Sequence, residues 1–203
     1  MLAIDPAKES TNNIYKLMIG AIVPRPIALV STIDNQGVRN LAPFSYFTAC
    51  SSNPPVIVFC PVQRPTPPVE KDTLRNVLET KEFVVNIVSE EFADKMNACS
   101  ASVPPHVDEF ELSGLTPLAS EVVKPWRVAE SQVHMECRLM QVIHVSDKPG
   151  SGVLVLGEVV RFHVQEGLME NFHVDPDKLN AVGRMAGSTY VRTTDRFDLT
   201  RPA

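Results

Sequence analysis

Two neighbouring stretches decide the fold: VHMECRLMQVIHV at residues 133–145 and VLVLGEVVRFHV at residues 153–164. From Val133 to Leu139, apolar residues alternate with polar ones, which is the period-two pattern of a half-buried strand. After Leu139 the apolar phase slips by one residue. This slip predicts either a β-bulge or burial on both faces, as in a barrel wall. Turn residues at 147–150 join the two runs, so we expect one long β-hairpin.

Further strands and two helices are predicted outside this hairpin. Short runs rich in β-branched and aromatic residues predict strands at 27–33, 40–47, 55–60 and 82–88. One helix is expected to open at Lys71, with Asp72 or Thr73 as its cap, and another is expected to be capped by Ser89. Strands therefore dominate. The pattern predicts one α+β (mainly β) domain over residues 1–203, built on an antiparallel barrel of about six strands with inserted helices.

Composition and charge exclude several classes of function. The chain of 203 residues has 19 Lys+Arg against 24 Asp+Glu, a net charge of −5, so it lacks the basic character of nucleic-acid-binding proteins. The longest uncharged run, Asn40–Gln63, is interrupted by prolines and is not expected to span a membrane. The four cysteines form no C-x-x-C pair, and the five histidines lack metal-site spacing. We therefore expect a cytoplasmic protein with reduced thiols and no metal.

Three segments combine residues in an unusual way. Pro43 lies inside an apolar strand between Asn40 and Ser45, and because proline cannot donate to a β-ladder, that strand is either an edge strand or bulged. Lys71-Asp72-Thr73 places an ammonium group and a hydroxyl at a helix start, which suits a phosphate. Gly183–Tyr190 combines small residues with a guanidinium and a phenol. Each also has a plain structural interpretation: an edge strand, an ordinary N-cap, and a turn before the last strand.

The remaining polar groups indicate no dedicated acid, base or nucleophile. The acidic run Asp108-Glu109-Phe110-Glu111 predicts the solvated start of a short helix rather than an acid/base pair. No nucleophile elbow, Walker loop or Ser/His/Asp signature is present. The glycines at 150–157 are followed by β-like sequence, not by the helix of a dinucleotide fingerprint. The sequence therefore assigns no catalytic residue.

Taken together, the ordered motifs resemble the flavin reductase-like FMN-binding split-barrel family, over about residues 15–200. The resemblance rests on PRPIALVST at 24–32, NLAPFSYF at 40–47, SNPP at 52–55, KDTLRN at 71–76, FVVN at 83–86, MNACS at 96–100, FELSGLTP at 110–117 and VGR at 182–184. It implies a six-stranded split barrel and a homodimer with FMN near the subunit interface. It also implies an oxidoreductase that moves electrons from NAD(P)H to flavin or to a downstream acceptor.

The resemblance further implies which residues meet the ring side of the flavin. Ser31 and Thr32 correspond to contacts along the flavin ring. Asn40, Ala42 and Ser45 correspond to the segment that meets the flavin and its ribityl chain. The backbone amides of this second segment are expected to donate to the ring's pyrimidine carbonyls.

The phosphate side is implied in the same way. Lys71, Asp72 and Thr73 resemble the residues at the phosphate end of the flavin, and Ser100 resembles a contact near it. Arg184 resembles the family's late glycine-arginine element. These positions complete the set of ten residues expected to bind the cofactor.

The implied chemistry is consistent with the absence of a dedicated acid, base or nucleophile in the sequence. Hydride transfer from a nicotinamide to a flavin needs stacking and hydrogen-bond donors rather than a general base. The acceptor, a small molecule or a protein, stays open, and so does the choice between FMN as a prosthetic group and FMN as a substrate. Two other interpretations also stay open. One is a flavoprotein electron carrier without turnover, and the other is a barrel that has lost flavin or binds haem.

Overall fold

The computed structural model describes residues 1–63 and 70–202. Its strands are β1 Ala28–Ile33, β2 Arg39–Phe44, β3 Phe47–Ser52, β4 Pro55–Phe59, β5 Glu82–Ile87, β6 Pro117–Leu118, β7 Arg127–Val128, β8 Val133–His144, β9 Val153–Val164, β10 Met169–Glu170, β11 His173–Val174, β12 Val182–Arg184 and β13 Tyr190–Arg192. Seven of them form one antiparallel sheet in the order β2-β1-β5-β8-β9-β4-β3. The short strands pair as β6-β7, β10-β11 and β12-β13.

The helices lie between the strands. They are α1 Thr11–Ala21, α2 Asp72–Thr80, α3 Ala93–Ala98, α4 Glu109–Ser113 and α5 Pro176–Leu179, with 3₁₀ turns at Pro6–Lys8 and Glu90–Phe92. In the part of the chain that the structure describes, no helix is both long and apolar enough to cross a membrane.

The strand order and the short connection between the two outer strands show that the sheet closes towards a barrel. β2 and β3 lie at opposite ends of the sheet, yet only Ser45 and Tyr46 separate them along the chain. The two outer strands are therefore brought together at that corner, where the Cys60 N–H donates to the Tyr46 carbonyl oxygen at 2.8 Å. The mainly β, antiparallel barrel predicted from the sequence is confirmed, but its sheet has seven strands rather than six.

The extra strand arises where one continuous strand was predicted over residues 40–47. The apolar run continues through this segment, but the chain leaves the sheet at Ser45 and re-enters it as β3, paired with β4. Pro43 lies in β2, which is an edge strand, so the expectation from proline is confirmed. The alternative of a bulge is wrong, because the β1-β2 register is continuous from Ala28↔Phe44 to Ile33↔Arg39.

The long hairpin of β8 and β9 contains a β-bulge at the point where the apolar phase shifts after Leu139, as one of the two predicted alternatives required. Its register shifts twice, between Glu136 and Cys137 and between Leu139 and Gln141. In the middle of β9, Gly157 lets the Phe83 ring lie against the backbone, since a Cβ built there would be 2.3 Å from the ring. The bulges bend the hairpin, as a closing sheet requires.

Two apolar clusters cover the two faces of the sheet. Inside the barrel, the rings of Phe44, Phe59 and Phe83 lie in sequence with centroids 5.1 and 5.2 Å apart. On the other face, Leu41 and Phe110 belong to a second cluster that packs α3 and α4 against the sheet. Burying each such side chain stabilises the fold by about 1.5–3 kcal/mol. The clusters thereby hold α2, α3 and α4 around the free edge of β2.

The helix starts differ from prediction in detail. α2 begins at Asp72 with Lys71 in the N-cap position, and neither Asp72 nor Thr73 caps it. Ser89 makes no side-chain cap bond, and the helix expected after it is divided into a 3₁₀ turn and α3. α1 is an additional helix that the sequence did not predict.

Candidate functional site

The candidate site is a cleft along the free edge of β2, which we call the β2 cleft. It consists of an inner cavity of about 90 Å³ and an outer cavity of about 200 Å³, which share Pro43 and Ser100. The inner cavity is lined by six of the predicted residues: Asn40, Ala42, Lys71, Asp72, Thr73 and Ser100. The outer cavity is lined by Ser45, Ser100 and Arg184 of the predicted set.

Asn40 ties three elements together at the base of the inner cavity. Its side-chain nitrogen donates to Thr32 Oγ1 at 3.1 Å and to Thr73 Oγ1 at 2.9 Å, which links β2 to β1 and α2. Asn76 also donates to Thr32 Oγ1, at 3.1 Å. Since an amide has two N–H donors, both donors of Asn40 are used and only its oxygen is left for a ligand.

Ser31 and Thr32 do not line the cleft. Both side chains are completely buried and line neither cavity. Thr32 is linked to the cleft through Asn40, whereas Ser31 Oγ has no hydrogen-bond partner among the described residues. The structure thus brings eight of the ten predicted residues to the cleft, places Thr32 next to it through Asn40, and does not bring Ser31 to it.

The start of α2 makes the inner cavity favourable for an anion. The first backbone N–H groups of a helix have no partner within it and carry a partial positive charge. Lys71, in the N-cap position, lines the cavity, and its ammonium lies 5.1 Å from the centre of the Phe44 ring. The negative charge of Asp72 is partly offset by Arg75, whose guanidinium is 2.7 Å away.

Glu109 is a buried carboxyl in the same cavity that the sequence analysis missed. Only 6% of its surface is exposed, and its Oε2 accepts the Leu41 N–H at 3.0 Å. Burial raises the pKa of Glu109 to about 7, and the nearby carboxylates of Asp72 and Asp108 act in the same direction. The expectation that this acidic run is a solvated surface is therefore wrong for Glu109. Because α4 is little more than one turn long, its sequence has no repeating apolar pattern that would indicate which residues are buried.

The outer cavity has an aromatic and cationic wall. The Arg184 guanidinium lies 4.4 Å from the centre of the Tyr190 ring, and the Tyr190 hydroxyl donates to Asn97 Oδ1 at 3.1 Å. Arg184 also donates to the Gly187 carbonyl oxygen within the β12-β13 hairpin. The segment Gly183–Tyr190 does contain the turn that was offered as its plain interpretation. The two strands that flank this turn place Arg184 and Tyr190 in the lining of the outer cavity.

Arg25 is a second residue that the sequence analysis did not assign to the site. Its guanidinium is buried and donates to the carbonyl oxygens of Ile19, Ile22 and Met185 at 2.7, 2.8 and 2.9 Å. Its Nε also donates to Ser45 Oγ at 3.3 Å. Arg25 therefore fixes Ser45, the end of α1 and the β12-β13 hairpin relative to one another.

A larger depression lies elsewhere on the surface. It has a volume of about 810 Å³ and lies beside Arg39, His106 and Trp126. It contains none of the ten predicted residues, and Arg39 is already paired with Asp108 there. Size alone therefore does not identify the functional site of this fold.

The chain belongs to the flavin reductase-like family, since residues 19–189 match its flavin reductase like domain. A protein of Aquifex aeolicus (strain VF5) is 42% identical over 182 residues, which cover 89% of this chain and 90% of that one. Nitrilotriacetate monooxygenase component B from Bacillus cereus has a similar structure, with a TM-score of 0.93, 39% identity and coverage of 98% of both chains. Pseudomonas fluorescens 2-nitrobenzoate 2-nitroreductase has a TM-score of 0.89 and 32% identity, covering 99% of this chain and 96% of that one. The family defines the protein as an oxidoreductase with a flavin cofactor.

The residues of the β2 cleft fit a phosphorylated flavin. A phosphate needs positive charge and N–H or O–H donors, and the inner cavity has the Lys71 ammonium, the Thr73 hydroxyl and the first turn of α2. A planar ring needs flat or aromatic neighbours, and the outer cavity has the stacked Arg184 and Tyr190. The two cavities share Pro43 and Ser100 in their linings, so they are neighbours, as the two ends of one elongated ligand require.

Proposed function

We propose that this chain is an FMN-dependent oxidoreductase that passes electrons from NAD(P)H through the flavin to an acceptor. The observation that carries the proposal is the β2 cleft, which unites an anion-favouring inner cavity with an aromatic and cationic outer cavity. FMN suits this cleft better than FAD. In the described part of the chain, residues 99–103 and Glu109 line the inner cavity, and its volume of about 90 Å³ suits a phosphate better than an adenosine.

The chain's residues act in this proposal by binding and orienting the flavin. Lys71 and Thr73, with the first amides of α2, hold the phosphate. The Asn40 oxygen accepts from a ribityl hydroxyl, because its two N–H groups are already used. Ser45 and Arg184 border the ring, and Arg25 keeps Ser45 in place.

The edge of β2 offers fewer backbone donors than its sequence suggested. The Leu41 N–H is occupied by Glu109, and Pro43 has no N–H. Among the side chains that line the outer cavity, the Ser45 hydroxyl and the Arg184 guanidinium are suited to donate to a ring carbonyl. The bound flavin itself supplies reversible two-electron chemistry. The chain excludes water from the ring and holds donors where negative charge develops.

The proposal includes three features of the whole protein. The chain acts as one flavin-binding domain, it forms a homodimer with the flavin near the subunit interface, and it works in the cytoplasm. The exposed apolar residues of α1, including Tyr15 beside the outer cavity, are consistent with such an interface. Light scattering should give twice the mass of one chain, and a flavin-loaded monomer would contradict this arrangement.

The function is tested by mixing the purified protein with NADH or NADPH and with FMN, FAD or riboflavin. We expect nicotinamide oxidation to depend on the protein and to be fastest with FMN. Flavin binding without nicotinamide oxidation would instead favour an electron carrier that is reduced by a protein donor. A protein that binds no flavin at all would refute both functions.

The names of the similar proteins suggest two acceptors to test next. One is the partner component of a monooxygenase, and the other is an aromatic nitro acid such as 2-nitrobenzoate. Stimulation of nicotinamide oxidation by the nitro acid under anaerobic conditions would favour direct reduction of a substrate. Release of reduced FMN into solution would favour supply to a partner.

A further inference from the structure

Glu109 occupies a position that is unusual for an acidic residue. It lines the inner cavity together with Lys71, Asp72 and Thr73, where the proposed function places a phosphate. A carboxylate beside a phosphate brings two like charges together in a partly desolvated space, which is unfavourable. The acid form of the same side chain has no such conflict, because it is uncharged and has an O–H to donate.

Among the charged groups around Glu109, the carboxylates of Asp72 and Asp108 raise its pKa, and Lys71 is a cation that lines the same cavity. On α4 and β2, the Asp108 carboxylate faces Arg39 at 2.5 Å, and Glu111 is 3.7 Å from the same guanidinium. On α2, Lys71 and Asp72 line the cavity, and Asp72 is paired with Arg75. After α3, Cys99 is a buried thiol whose pKa is raised by burial to about 11, so it contributes no charge at neutral pH.

One hydrogen bond fixes the orientation of the Glu109 side chain. Oε2 accepts the Leu41 N–H at 3.0 Å, on the edge of β2 that faces the cleft. An acid form can keep this bond through its carbonyl oxygen while its O–H donates to a ligand oxygen. With a pKa of about 7, raised by burial, both forms are accessible near neutral pH.

We propose that Glu109 binds the phosphoryl end of the flavin in its acid form, so that a phosphorylated flavin that binds to a site with ionised Glu109 takes up one proton from solvent. This inference rests on the proposed function and adds a proton-linked ligand to its phosphate site. Phosphate binding raises the proton affinity of Glu109 further. The affinity for FMN therefore falls by up to tenfold per pH unit as the pH rises above about 7. Riboflavin has no phosphate and should not show this loss.

The test measures proton uptake directly. FMN and riboflavin are titrated calorimetrically into the wild-type protein at about pH 8, in two buffers of different ionisation enthalpy, and Kd is measured by flavin fluorescence. We expect FMN to bind with uptake of close to one proton and riboflavin with close to none. Glu109→Gln keeps the acceptor for Leu41 and mimics the acid form. It should bind FMN about tenfold more tightly than wild type at that pH, with no linked proton.

Glu111→Gln is the matched control, because Glu111 is an exposed carboxylate on the same helix. It should behave as wild type. Glu109→Gln lacks the carboxyl but still binds the FMN phosphate, so any proton uptake that persists in that variant belongs to the phosphate. Equal proton uptake in wild type and Glu109→Gln, or equal uptake for FMN and riboflavin, would overturn the proposal. If Glu109→Gln does not fold, infrared difference spectra of the wild-type protein on FMN binding decide, because uptake by Glu109 appears as a protonated carboxyl and uptake by the ligand as a protonated phosphate. Flavin binding without linkage refutes this inference alone, whereas the absence of flavin binding refutes the proposed function as well.

Discussion

Replacing Lys71 by Ala should separate the phosphate site from the rest of the cleft. Lys71 lies in the N-cap position of α2 and lines the inner cavity, where its ammonium can meet a phosphate. A hydrogen bond to a charged group contributes roughly 1.5–3 kcal/mol. The Kd for FMN should therefore rise by roughly 10- to 150-fold. Riboflavin should bind the variant as it binds the wild type.

The assay is quenching of flavin fluorescence, measured for FMN and riboflavin with each protein. Lys81→Ala is the matched control, because Lys81 lies at the other end of the same helix, where no predicted site residue is found. The loss of the Lys71 contact with the Phe44 ring costs about 0.5–1 kcal/mol of stability, which chemical denaturation detects separately. Equal losses of affinity for FMN and riboflavin would show that Lys71 only supports the fold, and the assignment of the phosphate end would then be wrong.

Three further predictions concern stability. Asn40→Ala removes two buried hydrogen bonds and should lower the free energy of unfolding by about 2 kcal/mol in urea titrations, and an unchanged midpoint would refute the network. Gly157→Ala puts a methyl group 2.3 Å from an aromatic ring carbon and should destabilise by about 1–3 kcal/mol, whereas Gly20→Ala, in open space on a helix, should stabilise by about 1 kcal/mol. The reverse order of the two glycine variants in thermal melts would contradict the packing. Burial lowers the pKa of His134 to about 4, so the unfolded chain binds more protons, and stability should fall as the pH drops from about 6.5 towards 4. His134→Gln should flatten this slope, and an unaltered slope would mean that another group controls it.

The periodic parts of the sequence predicted the sheet well. Alternation from Val133 onward located the long hairpin, and the slip after Leu139 located a bulge, because a register shift must change which face each side chain occupies. Pro43 marked the edge of the sheet, since it cannot donate to a neighbour. The break at Ser45 was not predictable in this way, because the residues on both sides are apolar and continue the strand pattern.

The helices were harder to predict for a physical reason. In α1, Tyr15, Leu17 and Met18 are exposed, so the apolar residues do not form the single buried stripe that marks a helix. Those exposed apolar side chains suit the proposed subunit contact. A helix that is apolar on a subunit contact does not show the pattern expected of a helix packed against its own core. The short helix α4 was predicted from its acidic start, but it is too short to have an apolar period, so the burial of Glu109 was not predicted.

From short-range structure alone, residues of the candidate site were predictable only where a motif was local, whereas Ser100 and Arg184 were predicted from the family resemblance. Lys71-Asp72-Thr73 is contiguous at a helix start, and Asn40 and Ala42 lie on one strand, so their proximity follows from short-range structure. Arg25 has no such signal. Its acceptors include a carbonyl oxygen 160 residues away in the sequence. The residues next to Arg25 in the sequence do not indicate that its guanidinium is buried.

The most direct test of the account is a crystal structure of the protein with FMN. We expect the phosphate in the inner cavity, within hydrogen-bond distance of Thr73 and Lys71, and the ring in the outer cavity beside Arg184. FMN bound in the depression beside Trp126, or a β2 cleft filled by the protein's own side chains, would contradict it.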